Sequence, residues 1–153
     1  MAQFIWNTVL PLVGTFALGV AGWFAANFYG EPLSRFAAIR REILVAIFFY
    51  ANVNKDTQRN VIEVGASELR RLAAQLDALR NSLMAPTSWT LSRMAFDLPR
   101  AVRGVTGLSN TLVSVDGQKA LHRHEIELAL RFTPEFTSAE IEAIRARSER
   151  LGQ

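Results

Sequence analysis

The sequence predicts an all-α protein: a single N-terminal transmembrane helix followed by a cytoplasmic helical bundle of about five helices. Three observations predict it. The first thirty residues carry no charged side chain, so every Lys, Arg, Asp and Glu falls at Glu31 or later. Beyond that point the chain is rich in Ala, Leu and Arg, with apolar positions recurring at helical spacing. Gly and Pro fall at the ends of those periodic stretches, where helices stop and start. The chain therefore divides into an anchor over 1–30 and one helical domain over 31–153, too short for two ordinary domains.

Within the charge-free start, Phe4 to Tyr29 exceeds the roughly 20 apolar residues of helix that cross a bilayer. A cleaved signal peptide would carry a basic start, a shorter apolar core and a small-x-small cleavage site. Here the run ends in Gly22-Trp23-Phe24-Ala25-Ala26-Asn27-Phe28, with bulky rings where a peptidase needs small residues. An uncleaved anchor is the expectation. No Lys or Arg precedes it, whereas Arg35, Arg40 and Arg41 follow closely, which keeps the following chain on the cytoplasmic side. The same arginines are the lipid-proximal basic residues, facing anionic headgroups. Trp6 at one end and Trp23 and Tyr29 at the other suit the headgroup level. The make-up is that of a small bacterial protein, placing the single pass in the cell inner membrane. Thr8, Pro11, Thr15, Gly19, Gly22 and Ala26 recur at steps of three and four. The stripe Thr15, Gly19, Gly22, Ala26 is thus a candidate face for close helix packing.

Gly30-Glu31-Pro32 is expected to break the first helix, with the next running from about Leu33 to Val53. Its apolar block Ile43–Ala51 spans only about 14 Å as helix, too short for a second crossing. Arg40, Arg41 and Glu42 would also be costly in lipid. The block is expected either in the bundle centre, enclosed on every side, or half-inserted at the inner leaflet.

Ile62, Gly65, Leu69, Leu72, Leu76, Leu79 and Leu83 then follow a seven-residue repeat. This helix-pairing seam (Ile62, Leu69, Leu72, Leu76, Leu79, Leu83) favours antiparallel pairing with the preceding helix, with an intermolecular coiled coil as the alternative. Ala85-Pro86-Thr87-Ser88 begins a short helix with Thr87 or Ser88 as N-cap. Asp97 caps the next, with Pro99 in its first turn, ending near Asp116-Gly117. A further helix runs from about Lys119 to Phe132. Thr137 and Glu140 form a capping box for the last helix, Ser138 to Leu151, with Gly152 at its stop.

Chemistry is sparse. There is no Cys, which excludes disulfides and thiolate sites. His122 and His124 point about 200° apart on a helix and cannot grip one ion, so a solvated, partly capping pair is expected. Glu125 and Glu127 likewise lie on different faces. Nucleophile and phosphate-cradling motifs are missing, and Gly104–Asn110 is merely a segment containing Gly and Ser. Residues 31–110 hold eleven basic and seven acidic side chains, and 111–153 hold six and seven. That modest excess suits lipid contact and lacks the dense clusters of a nucleic-acid face.

No catalytic residue, cofactor site or metal site is therefore expected, nor a small-molecule substrate. The expected partners are the lipid bilayer and a protein, which includes self-association. The expected function is a membrane-anchored interaction or scaffolding protein, with a homo-oligomeric pore-like assembly as the alternative.

Overall fold

The computed structural model describes residues 10–53, 57–113 and 117–151, and every regular element among them is helical. Trp6, Thr8, Asp116 and Gly152, singled out above, lie outside the described residues. The chain begins with α1 (Leu10–Ala25), a π turn (Ala26–Gly30) and α2 (Glu31–Phe49). It continues with α3 (Arg59–Ser82), α4 (Ala85–Arg93), α5 (Leu98–Asn110), α6 (Gln118–Ala129) and α7 (Ser138–Leu151).

The expected break at Gly30-Glu31-Pro32 does not occur. Gly30 (φ −63°, ψ −52°) and Glu31 (φ −65°, ψ −51°) are both right-handed helical, so α1, the π turn and α2 form one continuous rod. The 39 residues from Pro11 to Phe49 amount to about 58 Å at 1.5 Å per residue. Pro32 explains the π turn. It has no N–H to give the carbonyl four residues back, and its ring would crowd that carbonyl. A widened turn, in which the Glu31 N–H reaches the Ala26 carbonyl, absorbs the conflict without ending the helix. The carbonyl deprived of its donor is that of Phe28, and the buried Thr87 hydroxyl of α4 supplies the replacement. Thr87 is therefore not the N-cap expected of it: α4 starts at Ala85, two residues earlier, and no side chain caps it.

The core gathers around α3. Leu69, Leu72 and Leu76 are fully buried, with Leu79 close behind and Ile62 and Leu83 packed at the edge. α3 lies most extensively against α5 and secondarily against α2. The principal partner is thus not the preceding helix, because α5 offers the buried Ala101, Val105 and Leu108 at helical spacing along one face. On its other side α5 meets α6, and α7 touches α6, burying Ile141. The apolar block of α2 is split between two environments. Ile43, Ala46, Ile47 and Tyr50 are in the core, whereas Val45, Phe48 and Phe49 are exposed. It is not enclosed on every side.

Close approaches at glycine include two that seat neighbouring elements of the core. A Cβ on Gly65 would lie 2.7 Å from the Tyr50 ring, so the Gly in the α3 seam is the seat of a tyrosine from the end of α2. A Cβ on Gly104 would lie 2.7 Å from Ile126 and 3.3 Å from the α6 backbone, so the α5–α6 crossing exists because that side chain is missing. The segment Gly104–Asn110 is a packing surface.

Two of the expected caps are present. Asp97 Oδ1 accepts from the Arg100 N–H at 2.9 Å. Thr137 and Glu140 exchange the two bonds of a capping box, the Thr137 N–H reaching Glu140 at 2.8 Å.

Candidate functional site

The most distinctive surface is α1. Every residue from Pro11 to Asn27 is exposed, and no protein covers the large apolar side chains Leu12, Phe16, Leu18 and Trp23. One N-terminal helix is long and apolar enough to cross a membrane. Its hydroxyl and amide side chains are satisfied locally, Thr15 on the Pro11 carbonyl and Asn27 on the Trp23 carbonyl, each at 2.8 Å. Such back-bonding is what an apolar solvent requires of a polar side chain on a helix. A Cβ added at Gly19 or Gly22 would meet nothing within 4 Å, so that face of the stripe is open. Thr15 and Ala26 are exposed beside them.

Where α4 meets the rod, an open groove of about 560 Å³ forms between Ala21, Phe24 and Phe28 on one side and Met84 and Pro86 on the other. Its lining is apolar. The Thr87–Phe28 hydrogen bond ties the two sides together next to it.

The three arginines that follow α1 have different surroundings. Arg35 pairs with Glu31 on the exposed surface, and Arg41 is exposed. Arg40 is half-buried and reaches across the molecule. Its Nε donates to the Leu130 carbonyl at 2.8 Å and its Nη2 to the Arg131 carbonyl at 3.0 Å. Its guanidinium lies 4.6 Å from the Phe132 ring centre and 5.8 Å from that of Phe96. Both rings follow residues in the left-handed region, Ala95 (φ 59°) and Arg131 (φ 54°), that terminate α4 and α6. The Phe96 and Phe132 N–H groups close those ends onto Leu91 and Glu127 carbonyls at 3.1 and 2.8 Å, the six-to-one bond of a Schellman ending. Arg40 thus binds the end of α6 and stacks beside the end of α4, where the dipoles favour a cation.

A second polar cluster lies on α6. Arg123 and Glu127 are both buried and meet at 2.9 Å, and Arg123 also pairs with Glu135. Glu127 accepts in addition from the Glu135 N–H at 3.1 Å, and the Phe48 ring covers the guanidinium at 5.5 Å. Lys119 donates at 2.8 Å to both the Ala51 and the Val53 carbonyl, fastening the end of the α2 segment. Burial, and then the charge of Arg123, hold its ammonium below the usual lysine range. The Tyr50 hydroxyl donates to Glu68; burial first, then that bond and the carboxylate's charge, push the phenol up to about 12.

The histidines are not the solvated pair expected. His124 is only 8% exposed and His122 half-buried, and Nδ1 of each is buried with no hydrogen-bond partner. The Glu125 carboxylate stands 3.6 Å from Nδ1 of His122. The His122 ring fills the space that a side chain on Gly107 would need. Helical periodicity separates the two rings onto different faces, but it does not reveal that the second face is also covered. Among the described residues no group of three or more His, Asp or Glu could hold a metal ion. The cluster of Arg123, Glu127 and Glu135 was not expected from sequence; its only signal there is the i, i+4 spacing of the first two. Comparison with protein-family models, with curated proteins and with solved structures gives no match to this chain.

Proposed function

We propose that the protein is a membrane-anchored interaction module, single-pass and N-out, holding a cytoplasmic helical bundle at the inner face of a cell membrane to recruit a protein partner. Val45, Phe48 and Phe49 carry this reading. They occupy one side of α2, are 62%, 63% and 71% exposed, and lie on the helix that continues from α1. Phe49 is 19 residues beyond Gly30, or about 28 Å along a rod that does not fold back. That distance argues against placing this face in the leaflet that α1 crosses. Exposed apolar clusters on a protein surface mark contact sites. Flanking Arg41 and the Arg71–Glu42 pair give the patch a polar rim. The arginines after the span support the orientation.

The alternative, a homo-oligomeric pore-like assembly, draws on the open Thr15, Gly19, Gly22, Ala26 face. It receives less support, because the α3 seam is consumed inside the chain and is not free to pair copies.

Photocrosslinking in native membranes separates the two. A crosslinker at Phe49 should capture a distinct second protein, whereas one at Gly19 should not yield a regular ladder of self-adducts. A ladder from Gly19 with nothing captured at Phe49 moves the assignment to the pore.

A further inference from the structure

We infer that the α3–α4 turn, centred on Met84 and Pro86, is a second membrane contact that dips into the leaflet beside α1, with a phospholipid acyl chain in the groove between them. The inference rests on reading α1 as a membrane span and adds a lipid-binding surface to it.

Four observations converge. First, the Thr87–Phe28 hydrogen bond fixes the height of α4 against the rod. Met84 and Pro86 face Phe28, Phe24 and Ala21 across the groove. Phe24 and Ala21 lie four and seven residues before Phe28, or roughly 6 and 10 Å toward the middle of the span. The turn therefore stands beside residues that belong to the hydrocarbon.

Second, the surface there is apolar and uncovered, with Met84 54% and Trp89 68% exposed. An indole on the outward face of α4, opposite the buried Thr87 and Leu91, is the side chain that prefers the headgroup boundary.

Third, no Lys, Arg, Asp or Glu occurs between Arg80 and Arg93, so the turn brings no charged side chain toward the leaflet. Arg93, exposed in the last turn of α4, supplies a cation for a lipid phosphate where the window ends.

Fourth, the groove is open along its length, as a flexible acyl chain requires, and its lining offers a water molecule too few polar partners.

The chain has no Cys, so single-cysteine spin labels can be placed in the full-length protein without removing any native residue of that type. Phe16→Cys in α1, Met84→Cys in the turn and Val64→Cys on the exposed face of α3 are reconstituted in phospholipid nanodiscs. Collisions of each label with oxygen, which partitions into lipid, and with a water-soluble nickel chelate are then compared. The Met84 label should resemble the Phe16 label, with an oxygen-to-nickel ratio several-fold above that of Val64. In a Trp6→Phe/Trp23→Phe variant, Trp89 emission should be quenched by lipids brominated on the acyl chain.

A Met84 label as nickel-accessible as Val64, beside a lipid-like Phe16, overturns the second contact and leaves the anchor standing. A Met84 label shielded from both reagents means that a protein partner or a second copy covers the groove, which also overturns it. A nickel-accessible Phe16 label overturns the anchor itself, and the second contact with it.

Discussion

Tyr50 shows how one side chain ties the ends of two helices. Its ring occupies the space left by Gly65 and its hydroxyl binds Glu68. Its pKa rises from about 10 in the unfolded chain to about 12 in the folded one, so the fold favours the protonated phenol. The resulting stabilisation is complete below pH 10 and is lost as pH climbs toward 12. A rise of that size corresponds to at most about 3 kcal/mol. Denaturant midpoints should fall between pH 10 and 12 in the native protein and fall much less in Tyr50→Phe.

Gly104 makes the opposite point, since here a missing atom matters. Gly104→Ala would gain about 1 kcal/mol in helix propensity. It would also force Ile126 and the α6 backbone away, and overpacking costs about 1–3 kcal/mol. The backbone contact at 3.3 Å cannot yield as a side chain could, so the net expectation is a lower thermal midpoint by circular dichroism.

Among the elements, the two Schellman endings are the clearest case of cooperation at a distance. Neither Ala95 nor Arg131 is the glycine that a left-handed ending prefers. What holds the two ends together comes from elsewhere: Arg131 donates to the Met94 carbonyl at 3.0 Å, the Asp97 N–H to that of Ala129 at 3.0 Å, and Arg40 reaches in from α2. Arg40→Met keeps the aliphatic bulk but loses two charge-assisted bonds and two ring contacts. A loss of about 2–4 kcal/mol is expected in urea unfolding. Arg40→Lys should recover little of it, because a single ammonium cannot fork to two carbonyls and lie flat on rings. A basic residue that only met lipid headgroups would tolerate Lys.

At the scale of the whole molecule, the rod divides into a half that no protein covers and a half that gives one face to the core. The core begins at Phe36 and takes nothing from α1. A fragment of residues 31–153 should therefore stay helical and unfold cooperatively in the absence of detergent, as followed by circular dichroism. The same fragment loses the Phe28 carbonyl, so amide exchange should quicken in α4 while α3 and α5 stay protected.

Much of this was legible in the amino-acid order. The uncharged start, the α3 seam, the Asp97 cap and the Thr137–Glu140 box each depend on neighbours within a turn or two, and local periodicity and capping chemistry reach that far. Other features depend on what another helix brings. Pro32 reads as a break until Thr87, 55 positions later, bonds the carbonyl it leaves free. Gly104 reads as part of a segment that merely contains Gly and Ser until α6 leans on it. His124 reads as solvated, and Arg40 as a surface cation, until α6 and its end are in place. Patterning along the chain records which residues avoid water. Which surface each one meets instead is decided by packing, since burial, hydrogen-bond partners and close approach are properties of pairs far apart in sequence.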